Sequence, residues 1–345
     1  MAKNLFVVNS SINLLSTFVL ANSLFENDDN YLCLVHPHGY DRWQEDKILR
    51  FMSSPEAGFK KVFPLIDKVF SKHIDYVRKN IKTLNVDNVF LGNDCGVQNQ
   101  LLMSTLGIKK FYRLDDGVAS YNNGPLKRPW WRALLHKIKI YALEISWGIF
   151  SDFPVNTVAI GESKAAIGDC LLMPEMLLRY SPKVIEISKS MIEKAMEKLN
   201  NYGLLNQEYA DSKYVIYLSE SMTEVKKFKF TFDDEVKFLE KYIKDLPNDT
   251  KLIYKPHPND KPYKLQYIKE HFKSILINES KVPVEFILRK EPMINEVVSV
   301  YCSTLLFAKK ITGREIECRS FAKSHNVALD NSYFDMMEKA GVKFI

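Results

Sequence analysis

The stretch Leu199-Asn200-Asn201-Tyr202-Gly203 through Asp211-Ser212, followed by Tyr214-Val215-Ile216-Tyr217-Leu218, decides how the chain is organised. A helical pattern ends near Leu199, a polar stretch follows, and an apolar run of five residues then starts a second series of strands and helices. Short apolar runs with little polar alternation read as buried parallel strands. Before the break they fall at 5–8, 31–35, 88–91, 110–114 and 157–160; after it, at 214–218, 252–254, 274–277, 298–301 and 315–318. Between them, apolar residues three and four apart predict helices at 12–25, 62–79, 182–199 and 232–246. Such alternation builds α/β layers with right-handed crossovers. The expectation is two doubly wound, Rossmann-like domains facing a central cleft. Residues 1–205 form the first and 206–330 the second, with a terminal helix in 331–345 that crosses back to the first domain.

Composition narrows the function classes. The chain has 345 residues, 46% hydrophobic and 26% charged, which suits two ordinary globular domains and excludes disorder. Lys and Arg total 48 against 42 Asp and Glu, a balance of +6. That excess favours an anionic ligand or an anionic membrane surface, and it is too small and too scattered to indicate nucleic acid. The five cysteines are widely spaced with no Cys-x-x-Cys, so neither a disulfide framework nor a zinc site is indicated and a cytoplasmic location is expected. The N-terminus reads as a strand, and no run of about 20 apolar residues marks a membrane span.

Three constellations carry chemistry. Arg113-Leu114-Asp115-Asp116-Gly117 closes a strand, where open α/β sheets bind ligands. A carboxylate there suits a general base, and Gly117 permits a tight turn or close approach of substrate. A plain Asp-Gly surface turn is the alternative, and a divalent-cation site is a weaker one, because adjacent acids in an extended segment point to opposite faces. Lys255-Pro256-His257-Pro258 follows the 252–254 strand. Its prolines stiffen an extended turn around His257, and such a histidine suits an anionic leaving group. Tyr301-Cys302-Ser303-Thr304 ends a strand and opens a helix, so its hydroxyls and first-turn N–H groups suit a phosphate as well as a cap. Glu285, in a short loop-to-helix element, suits a ribose hydroxyl, and Ser219, after the first strand of the second domain, suits a donor contact.

In this order the three motifs resemble the bacterial sialyltransferases of lipooligosaccharide sialylation and capsular polysialic acid synthesis. The N-terminal Asn4-Leu5-Phe6-Val7-Val8-Asn9-Ser10-Ser11 resembles that group's first strand and loop. The resemblance spans roughly residues 1–310 as architecture and about a dozen as motif. It implies a GT-B fold and an inverting transfer from CMP-sialic acid without an obligatory metal or cofactor. It also implies Asp116 as general base, His257 assisting departure of CMP, Ser303 and Thr304 on the phosphate, and Glu285 on the ribose. Ser303-Thr304 departs from the more familiar Ser-Ser, but threonine keeps the hydroxyl. Partners are then a nucleotide sugar and a glycan acceptor, with a homodimer as a further option. Another CMP-activated sugar acid, such as Kdo, is a close variant. A catalytically silent module that binds glycan or nucleotide is an alternative.

Other segments have two readings each. His36-Pro37-His38-Gly39-Tyr40-Asp41 has the composition of a metal triad, hence of a metal-dependent hydrolase, or is an acceptor-side loop. Asn93-Asp94-Cys95-Gly96 contacts the acceptor or caps the next helix. Lys127-Arg128-Pro129-Trp130-Trp131-Arg132 leads into a basic, aromatic helix that is either a peripheral anchor at the inner face of the membrane or a support beneath an active-site flap.

Overall fold

The computed structural model describes residues 1–35, 46–65, 70–121, 130–149, 160–200, 212–224 and 228–345. The chain divides into two compact units, Met1–Leu204 and Leu205–Ile345. The 36–41 histidine loop, residues 157–159 of one expected strand, the 127–129 basic run and the polar stretch 201–211 lie outside the described residues.

The first unit holds a parallel sheet in the order β3-β2-β1-β4-β5-β6-β7. Its strands are β1 (Lys3–Val8), β2 (Asp29–Val35), β3 (Lys61–Leu65), β4 (Asn88–Leu91), β5 (Phe111–Leu114), β6 (Ala166–Leu171) and β7 (Val184–Glu186). The second unit repeats the plan, in the order β10-β9-β8-β11-β12-β13. Its strands are β8 (Lys213–Leu218), β9 (Thr250–Lys255), β10 (Leu276–Ile277), β11 (Ile294–Ser299), β12 (Glu317–Ser320) and β13 (Lys343–Phe344), again all parallel. Both sheets start at the centre, wind outward to one edge, and return across the centre to fill the other. Each therefore has a topological switch point, between β1 and β4 and between β8 and β11, where ligands of such sheets bind. The central strands are apolar because helices cover both faces: Leu5 to Val8 and Ile216 to Tyr217 are fully buried.

Four expectations change. The 62–79 helix begins with strand β3, and its helical part is α3 (Ile74–Asn80). Pro64 is tolerated in β3 because that strand lies at the sheet's edge. The 182–199 helix likewise yields edge strand β7 before α7 (Lys189–Asn200). Strand β6 was not among the expected strands, and Gly168 and Asp169 interrupt its apolar run. The sheet needs both: a Cβ on Gly168 would come within 2.8 Å of the Lys183 carbonyl, and Asp169 pairs with arginines in the interior. The terminal helix, α12 (Asn331–Lys339), groups with the second unit. Tyr333 stacks on Tyr301 at 4.2 Å, and the β13 that follows pairs with β12, burying this end of the chain against its own sheet.

Candidate active site

In the first unit, the carboxyl ends of β1, β4 and β5 converge on Asp115-Asp116-Gly117. Helix α1 (Ser11–Ala21) follows β1, capped by Ser10 and closed by a reciprocal bond with Asn13. Both capping residues also reach the motif. Ser10 Oγ donates to Asp116 Oδ1 at 2.9 Å, and Asn13 Nδ2 donates to the Asp115 carbonyl at 2.5 Å and to Asp116 Oδ1 at 3.2 Å. The Asp116 N–H donates to Ser120 Oγ at 2.7 Å, in the short helix α5 (Val118–Tyr121). Gly92, at the end of β4, leaves room for Asn13: a Cβ there would stand 2.0 Å from Asn13 Oδ1.

The two acids have different jobs. Asp115 is fully buried and accepts from Gly117 N–H at 2.9 Å, from Leu172 N–H at 2.9 Å and from the Tyr121 hydroxyl. It ties β5 to the end of β6 and holds the turn. Asp116 is half-exposed. Burial raises both carboxyls to about 7, against the pull of Tyr121, Leu172 and Gly117 on Asp115 and of Ser10 and Asn13 on Asp116. A partly exposed carboxylate of that basicity can take a proton at neutral pH. Gly117 has φ +73°, the left-handed region that glycine enters without strain, and its N–H serves Asp115.

Beneath this turn lies a charged framework. Arg113 pairs with Asp169 at 2.7 Å, Arg179 with the same carboxylate at 2.5 Å, and Asp94 accepts from the N–H groups of Gly161 and Ser163 at 2.9 and 3.1 Å. The arginines outweigh burial and hold Asp169 below the ordinary carboxyl value. Asn93 Oδ1 accepts from the N–H groups of Cys95 and Gly96, so the Asn93–Gly96 segment is a self-bonded loop that ends at Gly96, the cap of α4 (Val97–Leu106).

In the second unit, His257 follows β9. Its backbone N–H donates to Asp260 Oδ2 at 2.8 Å, and its ring Nδ1 accepts from the Asn259 N–H at 3.1 Å. An accepting Nδ1 means that the neutral ring carries its proton on Nε2. Pro258 is exposed beside it. The turn is anchored by Lys264, which lies in α9 (Pro262–His271) and is fully buried. Its Nζ lies 2.9 Å from Asp260 Oδ1 and 2.9 Å from Glu235 Oε2, and donates to Ser219 Oγ at 3.2 Å. Glu235, in α8 (Phe232–Asp245), also accepts from the hydroxyls of Tyr217, Ser219 and Tyr254. Burial opposes the charge on Lys264, but Glu235 and Asp260 together keep its ammonium above the ordinary lysine value.

Helix α11 (Ser303–Thr312) starts beyond β11 at the second switch point, with Cys302 as its cap. First-turn N–H groups point out along the helix axis and, with the macrodipole, attract an anion. Ser303 is half-exposed there. Glu220, after β8, is pushed above the ordinary carboxyl range by burial, with a hydrogen bond to Cys302 acting against this. Two hydroxyls and one carboxylate expected to meet the donor are committed to the interior instead. Thr304 is 2% exposed and donates to Glu285 Oε1 at 3.1 Å; Glu285 is 3% exposed; Ser219 is 2% exposed and donates to Glu235. Burying these short polar chains requires internal partners, and those partners face inward.

The structure places Asp116, His257 and Ser303 at strand or helix ends, and it sets Ser10 and Asn13 on Asp116 and Asp260, Glu235 and Lys264 behind the His257 turn, five residues that the sequence did not single out as site residues. A signal existed for some: Ser10-x-x-Asn13 is a capping pattern, and Asp260 and Lys264 are four apart at a helix start.

Two parallel, doubly wound units define a protein of the GT-B fold type. Solved structures with this fold include a UDP-GlcNAc 2-epimerase from Neisseria meningitidis bound to UDP-GlcNAc, at 11% identity and TM-score 0.56, covering 99% of this chain and 86% of that one. S. aureus MnaA with UDP matches at 12% identity and TM-score 0.54, covering 93% and 79%. A putative UDP-N-acetylglucosamine 2-epimerase from Listeria monocytogenes matches at 11% and 0.54, covering 99% and 83%. No curated protein matches the sequence. The family model of the alpha-2,8-polysialyltransferases (POLYST) matches residues 4–315, and the chain belongs to that family of glycosyltransferases.

Proposed function

We propose that the protein transfers sialic acid from CMP-sialic acid to a hydroxyl of a cell-surface glycan, lipooligosaccharide or capsule, with inversion and without an obligatory metal. The observation that carries this reading is Asp116: a half-exposed carboxylate at a strand's carboxyl end, raised to about 7 and aimed by Ser10 and Asn13. The acceptor hydroxyl gives its proton to Asp116 as its oxygen bonds to the anomeric carbon. The bond from that carbon to the phosphate oxygen breaks, and its electron pair leaves with CMP. His257 Nε2–H donates to the departing phosphate, whose charge is shared by Ser303 and the first-turn N–H groups of α11. Pro258 and Asp260 hold His257 in place, Gly117 lets substrate approach the base, and Glu285 with Thr304 braces the start of α11.

A monophosphate leaving group supports a metal-free route, because a histidine, hydroxyls and a helix start can satisfy its charge. The tests are direct. Asp116→Ala and His257→Ala each abolish transfer while leaving a folded protein; near-normal turnover in either removes the assigned role. Calorimetric titration with CMP, UMP, UDP and GDP tests the donor. UDP is the informative competitor, since solved structures of this fold hold UDP or UDP-GlcNAc. Preference for CMP is expected, and indifference among the four overturns the donor assignment.

A further inference from the structure

Helix α6 (Trp130–Ser146) has two apolar faces, and one of them packs on the first unit's core. The inner face is anchored: Ile140 is fully buried in the first unit's core, Leu143 packs beside it, and His136 Nε2 meets Gln100 Oε1 of α4 at 3.2 Å. Just past the helix, Trp147 packs on the same core and Arg78 of α3 donates to the Gly148 carbonyl at 2.8 Å. These contacts fix the rotation of α6. The opposite side then presents Trp131, Leu134, Leu135, Ile138, Tyr141 and Ile145, each between 46% and 69% exposed. At 3.6 residues per turn they form one continuous stripe, with Lys137 at one edge and Lys139 at the other. A stripe of this size outside the core marks an interaction surface. Among the described residues, no helix is long and apolar enough to cross a membrane.

We propose that this stripe docks the protein on an anionic lipid surface, with α6 lying in the plane of the interface. Charge selects the occupant. The sole carboxylate in α6, Glu144, is 3% exposed and lies on the buried side. A second copy laid along the stripe would bring lysines toward lysines with no acid on the rim to pair with them. Anionic headgroups pair with both lysine rows while acyl chains take up the leucines and isoleucines, and Trp131 and Tyr141 suit the headgroup level. The chain's excess of six positive charges acts in the same direction.

The test is flotation of the full chain with phosphatidylcholine vesicles, with and without phosphatidylglycerol. The wild type floats with phosphatidylglycerol vesicles, and salt weakens the association. Leu135→Glu/Ile138→Glu lowers partition by about a hundredfold, since each leucine-sized chain left in water forfeits a factor of about ten or more. Lys137→Glu/Lys139→Glu lowers it on anionic vesicles while barely changing that on neutral ones. Both pairs alter exposed or half-exposed positions outside the proposed machinery, so nucleotide binding stays unchanged and reports the fold. The proposal is overturned if the wild type fails to float, if the Leu135/Ile138 variant floats equally well, or if sedimentation gives a dimer which that variant dissociates.

Discussion

Varying the pH across neutrality tests the proposed base most directly. Burial raises the Asp116 carboxyl to about 7, with the hydrogen bonds from Ser10 and Asn13 opposing it and the nearby Asp115 and Asp94 charges adding to it. A base must be ionised. With a midpoint of 7, about a tenth of the molecules are competent at pH 6 and about nine tenths at pH 8, so kcat/KM rises about tenfold over that interval and then levels. An ordinary aspartate would be fully ionised across this range and give a flat line. Asp115 titrates beside Asp116, so the profile reports the pair rather than one residue. The assay is initial-rate transfer from CMP-sialic acid at constant ionic strength. Ser10→Ala supplies the control. It removes a donor to the charged form, so the midpoint moves to higher pH while the plateau survives at alkaline pH. Stability runs the other way. The folded chain binds the two protons more tightly than the unfolded chain, whose aspartates sit near 3.8, so the stability from this difference is present at low pH and lost as pH rises toward 7. A flat rate between pH 6 and 8, or a midpoint unmoved by Ser10→Ala, refutes the assignment of the base.

Lys264→Met strands Glu235 and Asp260 as buried carboxylates and costs about 3–5 kcal/mol in chemical denaturation. Adding Glu235→Gln recovers part of that loss, because one of the stranded charges is then absent, and simple additivity of the two changes disproves the coupling. Gly92→Ala drives a methyl into Asn13 and releases the Asp116 carboxylate, lowering kcat about ten- to hundredfold with circular dichroism unchanged; full activity shows that Asn13 does not position the base.

Much of the architecture was legible in the sequence. The polar stretch before Tyr214 and the restart of apolar runs after it divide the chain near residue 204, and the strand ends carry Asp116, His257 and Ser303. These features are local: a buried parallel strand must be apolar, and the turn beyond it is where polar chemistry can stand. Edge strands β3 and β7 and the glycine- and aspartate-bearing β6 were not legible, because an edge needs apolar residues on fewer sides and Asp169 is neutralised by Arg113, 56 residues away, and by Arg179 beyond the strand.

Within the site, the sequence offered an acid pair, a histidine between prolines, and hydroxyls at a helix start, without saying which way any side chain faces. Tertiary structure decided that Asp115 is a brace and Asp116 the open carboxylate, that Thr304 and Ser219 turn inward, and that His257 rests on Lys264 through Asp260. It also decided that α6 presents its second apolar stripe to solvent. The reason is the same in each case. Composition and periodicity record what a residue can bond to, but burial and partner geometry arise only when strands distant in sequence are brought side by side.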